Sequence, residues 1–412
     1  MEHVETVVIG AGQAGLVMSR QLRNRGCEHV VLERARIAER WRTQRWDSLM
    51  FQFPNWTIAL PGHSFAHDDP DGFSHKDRIV QLLEDYCAAA GVPARTGVNV
   101  RSLTASPEAG RYKLDTDHGD ITARNVVIAT GPYQRPKVPG LASSLPHQIV
   151  QVHASEYRNP DGLPEGAVLV VGTGASGCQI AEELLGSGRR VYLSVGRHRR
   201  VPRRYRGKDV IYWRRELGEL DQAAQATPKS KRQPAPLVTG VGGGHDVDLR
   251  RLAANGITLL GHVRGINGSR IVLAADVNEV LAAGDGTYAE FTDAVDEYIS
   301  RAGIEAAPRS DEPLSVSDAV DVLNELDTEA AGIRSVIWAT GYLLDLSWVE
   351  LPIFDAAGEP AHRDGVTAAP GVYLLGLPWL RKQKSSFLFG VAEDAEYLAE
   401  KIAQRSFRCR DS

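Results

Sequence analysis

Two stretches of this 412-residue chain can do chemistry by spacing alone: Gly10-Ala11-Gly12-Gln13-Ala14-Gly15 and Gly172-Thr173-Gly174-Ala175-Ser176-Gly177. In a Gly-x-Gly-x-x-Gly run the first glycine permits a tight turn and the second brings a phosphate against bare backbone. The third lets a helix pack closely on the preceding strand. A helix start behind such a turn offers unpaired N–H groups and the positive end of its dipole, so the chemistry implied is the cradling of a dinucleotide diphosphate. The two turns differ in the charge carried at the next strand end. The first leads to Glu33, whose carboxylate can accept hydrogen bonds from ribose hydroxyls and would repel a 2′-phosphate. The second leads to Gly196-Arg197-His198-Arg199-Arg200, where guanidinium groups suit a phosphate. The first site therefore wants FAD or NAD and the second NADP(H). Arg197 is the leading 2′-phosphate candidate, with Arg199 or Arg200 able to share the role. Arg203, Arg204 and Arg206 serve either the pyrophosphate or the surface.

Each turn needs a strand before it, a helix behind it and a second strand beyond. Thr6–Ile9 is β-branched and apolar, Leu16–Arg25 reads as a helix ended by Gly26, and Val30–Glu33 is the next strand. The same βαβ grammar recurs at Val168–Val171, Cys178–Leu185 and Val191–Val195. Between the units, strands are expected at Val98–Thr104, Tyr112–Asp117, Ile121–Ala123 and Asn125–Ala129, the last ending in Thr130-Gly131. Proline-rich Arg135–Gly140 and Arg158–Pro164 read as crossings between domains, Ala223–Pro236 as a mobile loop, and Asp276–Ala307 as two helices. Val336–Ala339 leads into Thr340-Gly341, an echo of the earlier Thr130-Gly131, and a helix over Val391–Gln404 ends the chain. The fold class expected is α/β: two Rossmann-like dinucleotide-binding domains, glutathione-reductase-like, the second inserted in the first. Residues 1–160 would open the FAD domain, 161–333 form the NADPH domain, and 334–412 return to the first.

Composition narrows the partners. A net charge of −5, from 47 Lys+Arg against 52 Asp+Glu, is too mild to argue for nucleic acid or an anionic membrane. No apolar run approaches the roughly 18 residues of a bilayer span, and the start, Met-Glu-His-Val-Glu, has no signal-peptide pattern. Cys27, Cys87, Cys178 and Cys409 make neither a disulfide framework nor a Cys-x-x-Cys, which fits a cytoplasmic setting and excludes a redox dithiol. His63, His67 and His75 cross a Gly/Pro/Asp-rich loop and read as ordinary loop histidines, so no metal is expected.

Several segments resemble the class B flavin-dependent monooxygenases, relatives of the flavin-containing and Baeyer–Villiger monooxygenases. Glu39-Arg40-Trp41-Arg42 and Trp46-Asp47-Ser48-Leu49 are similar to the family's segment wrapping the flavin; Phe53-Pro54-Asn55 with Leu60-Pro61-Gly62 is similar to its continuation. Val152-His153-Ala154-Ser155-Glu156-Tyr157 resembles the linker before the second nucleotide domain, although His147 and Ile149 replace its usual Phe-x-Gly start. Trp338-Ala339-Thr340-Gly341-Tyr342 resembles the second interdomain link, and Gly371–Gly376 with Ser385-Ser386-Phe387-Leu388 the segment closing over the flavin. Leu377 stands where many flavoproteins carry an Asp.

The resemblance implies FAD and NADPH as cofactors. In such enzymes NADPH reduces the flavin, O₂ adds to it, and the hydroperoxyflavin oxygenates a small organic substrate. It implies cofactor contacts at Gln13, Ala14, Arg34, Trp41, Arg42, Trp46, Ser48, Leu49, Thr130, Gly131, His153, Ser176, Thr340, Gly341, Gly376 and Ser386, besides the two glycine triplets, Glu33, Arg197 and Arg199. Asn55 is the catalytic candidate, able to hydrogen-bond the flavin or peroxide, or to be a turn asparagine beside Pro54. Two other classes share these sites: an NADPH-dependent flavoprotein reductase or oxidase without oxygen transfer, and a non-enzymatic redox sensor. Substrate and oligomeric state, a homodimer included, stay open.

Overall fold

β-branched runs buried on both faces must become interior parallel strands, and here they do so twice. A computed structural model describes residues 1–63, 65, 69–309 and 319–408. In the first sheet Glu2–Ile9 lies between His29–Glu33 and Ile121–Ile128, parallel to both. Ala94–Thr96 extends the sheet beyond His29–Glu33. On the other side Val372–Leu374, from near the end of the chain, pairs parallel with Ile121–Ile128, and the short antiparallel strands Val366–Thr367 and His362–Arg363 continue the sheet beyond it. The antiparallel pair Val100–Ala105 and Tyr112–Thr116 leaves the same sheet at Ile121–Ile128. The second sheet is wholly parallel, in the order Thr258–Leu260, Val191–Ser194, Ala167–Val171, Ile333–Trp338, Val150–His153.

Both central strands sit where strand order reverses, so each carboxyl end opens into a crevice between neighbouring crossovers, the place where such sheets take ligands. Helix Gln13–Asn24 follows the first crevice and packs against the C-terminal helix Val391–Arg408; helix Ala175–Gly186 follows the second. Leu16, Val17, Met18 and Leu22 of the first helix are fully buried in the first core.

The expected βαβ units are present with ends shifted by a few residues. Ile121–Ile128 is one strand rather than two. Val277–Ala302 is one helix, not two: Gly284 and Gly286 do not break it, and Gly284 admits the buried His198 ring, whose Nε2 would lie 2.2 Å from a Cβ there. Val150–His153 and Ile333–Trp338 pair with each other at the edge of the second sheet, and the chain leaves that sheet at Ala339-Thr340-Gly341.

Candidate active site

At the first crevice Gly10 takes φ +107°, and a Cβ on it would stand 2.7 Å from the carbonyl oxygen of Ala129 on the adjacent strand end. Gly15 is more confined: a Cβ there would lie 1.8 Å from the Gly10 oxygen. Gly12, the N-cap of helix Gln13–Asn24, faces open space, and no side chain caps the helix. The amides of its first turn are thus left for a ligand, with a cradle that a Cβ would begin to fill. Glu33 ends the neighbouring strand; its carboxylate accepts from Ala11 N–H at 2.8 Å and Ala35 N–H at 3.0 Å. One carboxylate both shapes the turn and keeps lone pairs for a ribose.

The second crevice repeats the construction. Gly172 has φ +108° against the Ala339 oxygen, a Cβ on Gly177 would lie 2.0 Å from the Gly172 oxygen, and Gly174 faces open space. Thr173 clamps this turn to the next strand end, its Oγ1 accepting from Gly196 N–H at 2.9 Å and donating to the Gly196 oxygen at 2.9 Å. Ser176 is exposed in the first turn of the helix. Arg197 is exposed too, with Nη2 donating to the Arg232 oxygen at 3.2 Å.

Beyond Arg197 the basic run turns inward. Arg199 is buried and donates to both oxygens of Glu219, at 2.9 and 2.7 Å. Arg200, also buried, pairs with Asp248 at 2.9 Å and Asp285 at 2.7 Å. Arg203 pairs with Asp209 at 2.7 Å. Sharing of a 2′-phosphate by Arg199 or Arg200, open from the sequence, would compete with these buried pairs.

The two Thr-Gly crossings are bonded to each other. Arg135–Pro136 pairs antiparallel with Tyr342–Leu343, Lys137 N–H donates to the Gly341 oxygen at 3.0 Å, and Thr340 Oγ1 donates to the Lys137 oxygen. Gln134 joins them further: Nε2 donates to Thr130 Oγ1 at 2.6 Å and to the Gly131 oxygen at 2.8 Å, while Oε1 accepts from Asp345 N–H at 2.5 Å. His153 adds a third tie. Its Nδ1 accepts from Ser155 N–H at 3.2 Å, so Nε2 carries the proton donated to the Gly341 oxygen at 3.0 Å. Burial holds its pKa below the ordinary histidine value, and Tyr342 lies edge-on at 4.9 Å.

The C-terminal segment returns to the first turn. A Cβ on Gly376 would lie 2.7 Å from that of Ala14, and Gln13 Nε2 donates to the Ser386 oxygen at 2.7 Å. Aromatic rings continue from there: Phe389 to Phe387 at 5.4 Å, Phe387 to Phe53 at 5.4 Å, Phe53 to Phe51 at 6.0 Å and Phe51 to Trp41 at 6.0 Å. Arg45 stacks between Trp41, 5.3 Å away, and Tyr133, 5.4 Å away. Arg40 beside it has its pKa lowered by burial and then by the charges of Arg34 and Arg45. The sequence shows that basic group only as a charge run, whose spacing does not say which arginines converge.

Other expected residues serve the frame. Trp46 and Leu49 are buried in the core of the second sheet, and Ser48 donates to Glu183 at 2.5 Å on the helix behind the second turn. This stretch ties the segment after the first βαβ unit to the core of the second sheet, where its apolar side chains find their burial. Arg42 is paired with Glu84. The Asn55 carboxamide closes a loop, Nδ2 donating to the Asp69 oxygen at 2.9 Å and Oδ1 accepting from Ser74 at 2.7 Å. His67 lies outside the described residues; among the described residues no group of three or more His, Cys, Asp or Glu is placed to hold a metal ion.

Comparison with known proteins gives the family and the fold. The family model described as pyridine nucleotide-disulphide oxidoreductase matches residues 7–216. A protein of Geobacillus kaustophilus, "Uncharacterized oxidoreductase CzcO-like", is 34% identical over 98% of this chain and 99% of its own length. Indole-3-pyruvate monooxygenase YUCCA1 of Oryza sativa subsp. japonica is 33% identical over 46% of this chain and 47% of its own. The flavin-containing monooxygenase of Stenotrophomonas maltophilia, 20% identical, superposes with a TM-score of 0.67 over 98% of this chain and 100% of that one, a likeness of fold. With the fold of that flavoprotein and without the paired cysteines of a redox dithiol, the chain belongs to the pyridine nucleotide-disulphide oxidoreductase family.

Proposed function

We propose that this oxidoreductase is an FAD- and NADPH-dependent monooxygenase acting on a small organic substrate. The observation that carries the proposal is the pair of glycine turns at the two switch points, with a carboxylate at one ribose position and an exposed guanidinium at the other. FAD, reduced by NADPH, supplies the activation of O₂ and the transfer of one oxygen atom. The protein's part is binding, orientation and dryness. First-turn amides at Gln13–Gly15 hold the FAD diphosphate and Glu33 its ribose, with the positive group of Arg34, Arg40 and Arg45 nearby. Arg197 takes the 2′-phosphate of NADPH. The clasp of Gln134, His153 and the two crossings sets the angle between the nucleotides, and the row from Trp41 to Phe389 keeps water from the reacting end. Relatives named as monooxygenases support the reading. Among the described residues no helix is long and apolar enough to cross a membrane; we place the enzyme in the cytoplasm.

The missing Phe-x-Gly start of the linker favours the second reading, a reductase or oxidase that passes no oxygen to substrate. Parallel assays of NADPH consumed and hydrogen peroxide released decide between them. A monooxygenase consumes NADPH with less than one peroxide per NADPH when its substrate is present. One peroxide per NADPH with every organic substrate tried would establish the oxidase, and a purified protein that takes up no FAD would end both readings.

A further inference from the structure

The inward turn of Arg199 leads towards the other nucleotide site. Its partner Glu219 also accepts from Arg214 Nε at 3.0 Å, and these side chains are 8%, 18% and 3% exposed for Arg199, Glu219 and Arg214. In such a sheltered place the trio is a fixed strut, since moving one member strands a buried charge. Glu219 opens the short turn Glu219–Asp221. Asp221 at its other end meets Lys382 at 2.7 Å and Lys384 at 3.0 Å, both from the C-terminal segment of the first domain. Glu393 of the last helix takes the same lysines from behind, Lys382 at 2.8 Å and Lys384 in direct contact. Backbone pairing runs alongside: Gln383 N–H donates to the Gln222 oxygen at 3.1 Å and Ala224 N–H to the Arg381 oxygen at 2.8 Å. Two residues past Lys384 is Ser386, whose oxygen accepts from Gln13 on the first glycine turn.

An unbroken run of contacts therefore joins the strand end that carries Arg197 to the cover on the other nucleotide turn. We infer that Glu219 and Asp221 are positioning residues that couple the two nucleotide sites, so that a dinucleotide phosphate at the second site tightens the cover over the first. The inference rests on the assignment of the sites under Proposed function. Its physical content is linkage: a phosphate on Arg197 pins residues 196–200, Arg199 then holds Glu219 in place, and Asp221 holds the lysine segment down on Gln13. By reciprocity FAD must raise NADP⁺ affinity by the factor with which NADP⁺ raises that of FAD.

The test is the rate of FAD release from the holoprotein, followed by recovery of flavin fluorescence, with and without saturating NADP⁺. The wild-type protein is expected to release FAD roughly fivefold more slowly with NADP⁺. Asp221→Asn should abolish that response while still binding NADP⁺ in a direct titration, Asp221→Glu should restore much of it, and Lys384→Met should add little to Asp221→Asn. Glu219→Gln should behave as Asp221→Asn does, but the exposed Asp221 keeps the test valid if the buried substitution unfolds. A purely structural role would speed release equally with and without NADP⁺. An unchanged NADP⁺ response in Asp221→Asn, or none in the wild type although both nucleotides bind, overturns the coupling and leaves the sites standing. Failure of the wild type to take up FAD or NADP⁺ overturns the site assignment and the coupling with it.

Discussion

Arginines of one basic run, two residues apart, do different work at the second strand end. Arg197 is exposed beside the second crevice, whereas Arg199 is committed to Glu219. A guanidinium–phosphate contact is charge-assisted and worth about 1.5–3 kcal/mol, so Arg197→Ala should raise the KM for NADPH roughly tenfold or more. The KM for NADH, which lacks the 2′-phosphate, should scarcely change. Steady-state flavin reduction with each nucleotide measures this, and equal effects on both would remove Arg197 from that role. The sequence puts several arginines after this strand. It does not say which stay exposed, because the burial of Arg199 depends on Glu219, twenty residues away in the chain.

In each strand–turn–helix element the glycines carry separable burdens, and the separation can be measured. Gly177 packs against Gly172 with no room for a methyl group, so Gly177→Ala should destabilise the protein by roughly 2–3 kcal/mol through overpacking. Gly174 faces open space, so Gly174→Ala should leave the denaturation midpoint nearly unchanged and weaken NADP⁺ binding, because the Cβ enters the phosphate cradle. Denaturant melts paired with NADP⁺ titrations distinguish the two, and a Gly174→Ala protein that binds NADP⁺ normally would contradict a phosphate at that turn. These elements were legible in advance because their demands are local: a strand, a tight turn and a helix start leave few residue types free.

Across the whole molecule the two sheets are held by the crossings, and His153 gives that junction a pH dependence. Burial lowers its pKa in the folded protein below the ordinary value of 6.5, so the folded state favours the neutral ring with Nε2–H on Gly341. The stabilising contribution is then fully present above about 6.5 and is lost as pH falls through the lower, folded-state pKa. His153→Gln, which keeps a donor for Gly341 and cannot titrate, should flatten part of the fall in unfolding free energy between pH 7 and 5. His29, His198 and His362, also lowered by burial, contribute with the same sign. An identical pH profile in the variant would mean that His153 titrates alike folded and unfolded.

Glycine spacing, the acidic and basic strand ends and the lack of a Cys-x-x-Cys were enough, by themselves, to determine a two-dinucleotide α/β oxidoreductase. Each is a short-range requirement of backbone geometry or charge that holds wherever the segment lies. Tertiary structure decided the rest. Trp46 and Leu49 entered the core of the second sheet, and Asn55 closed a loop because Asp69 and Ser74 met it. Ile333–Trp338 joined the second sheet because Ala167–Val171 and Val150–His153 left a place between them. Arg199, Glu219, Asp221 and Lys384 became one connected run only when segments nearly two hundred residues apart were folded together. Such contacts depend on which partner arrives, and a partner distant in the chain leaves no periodicity in the local sequence to announce it.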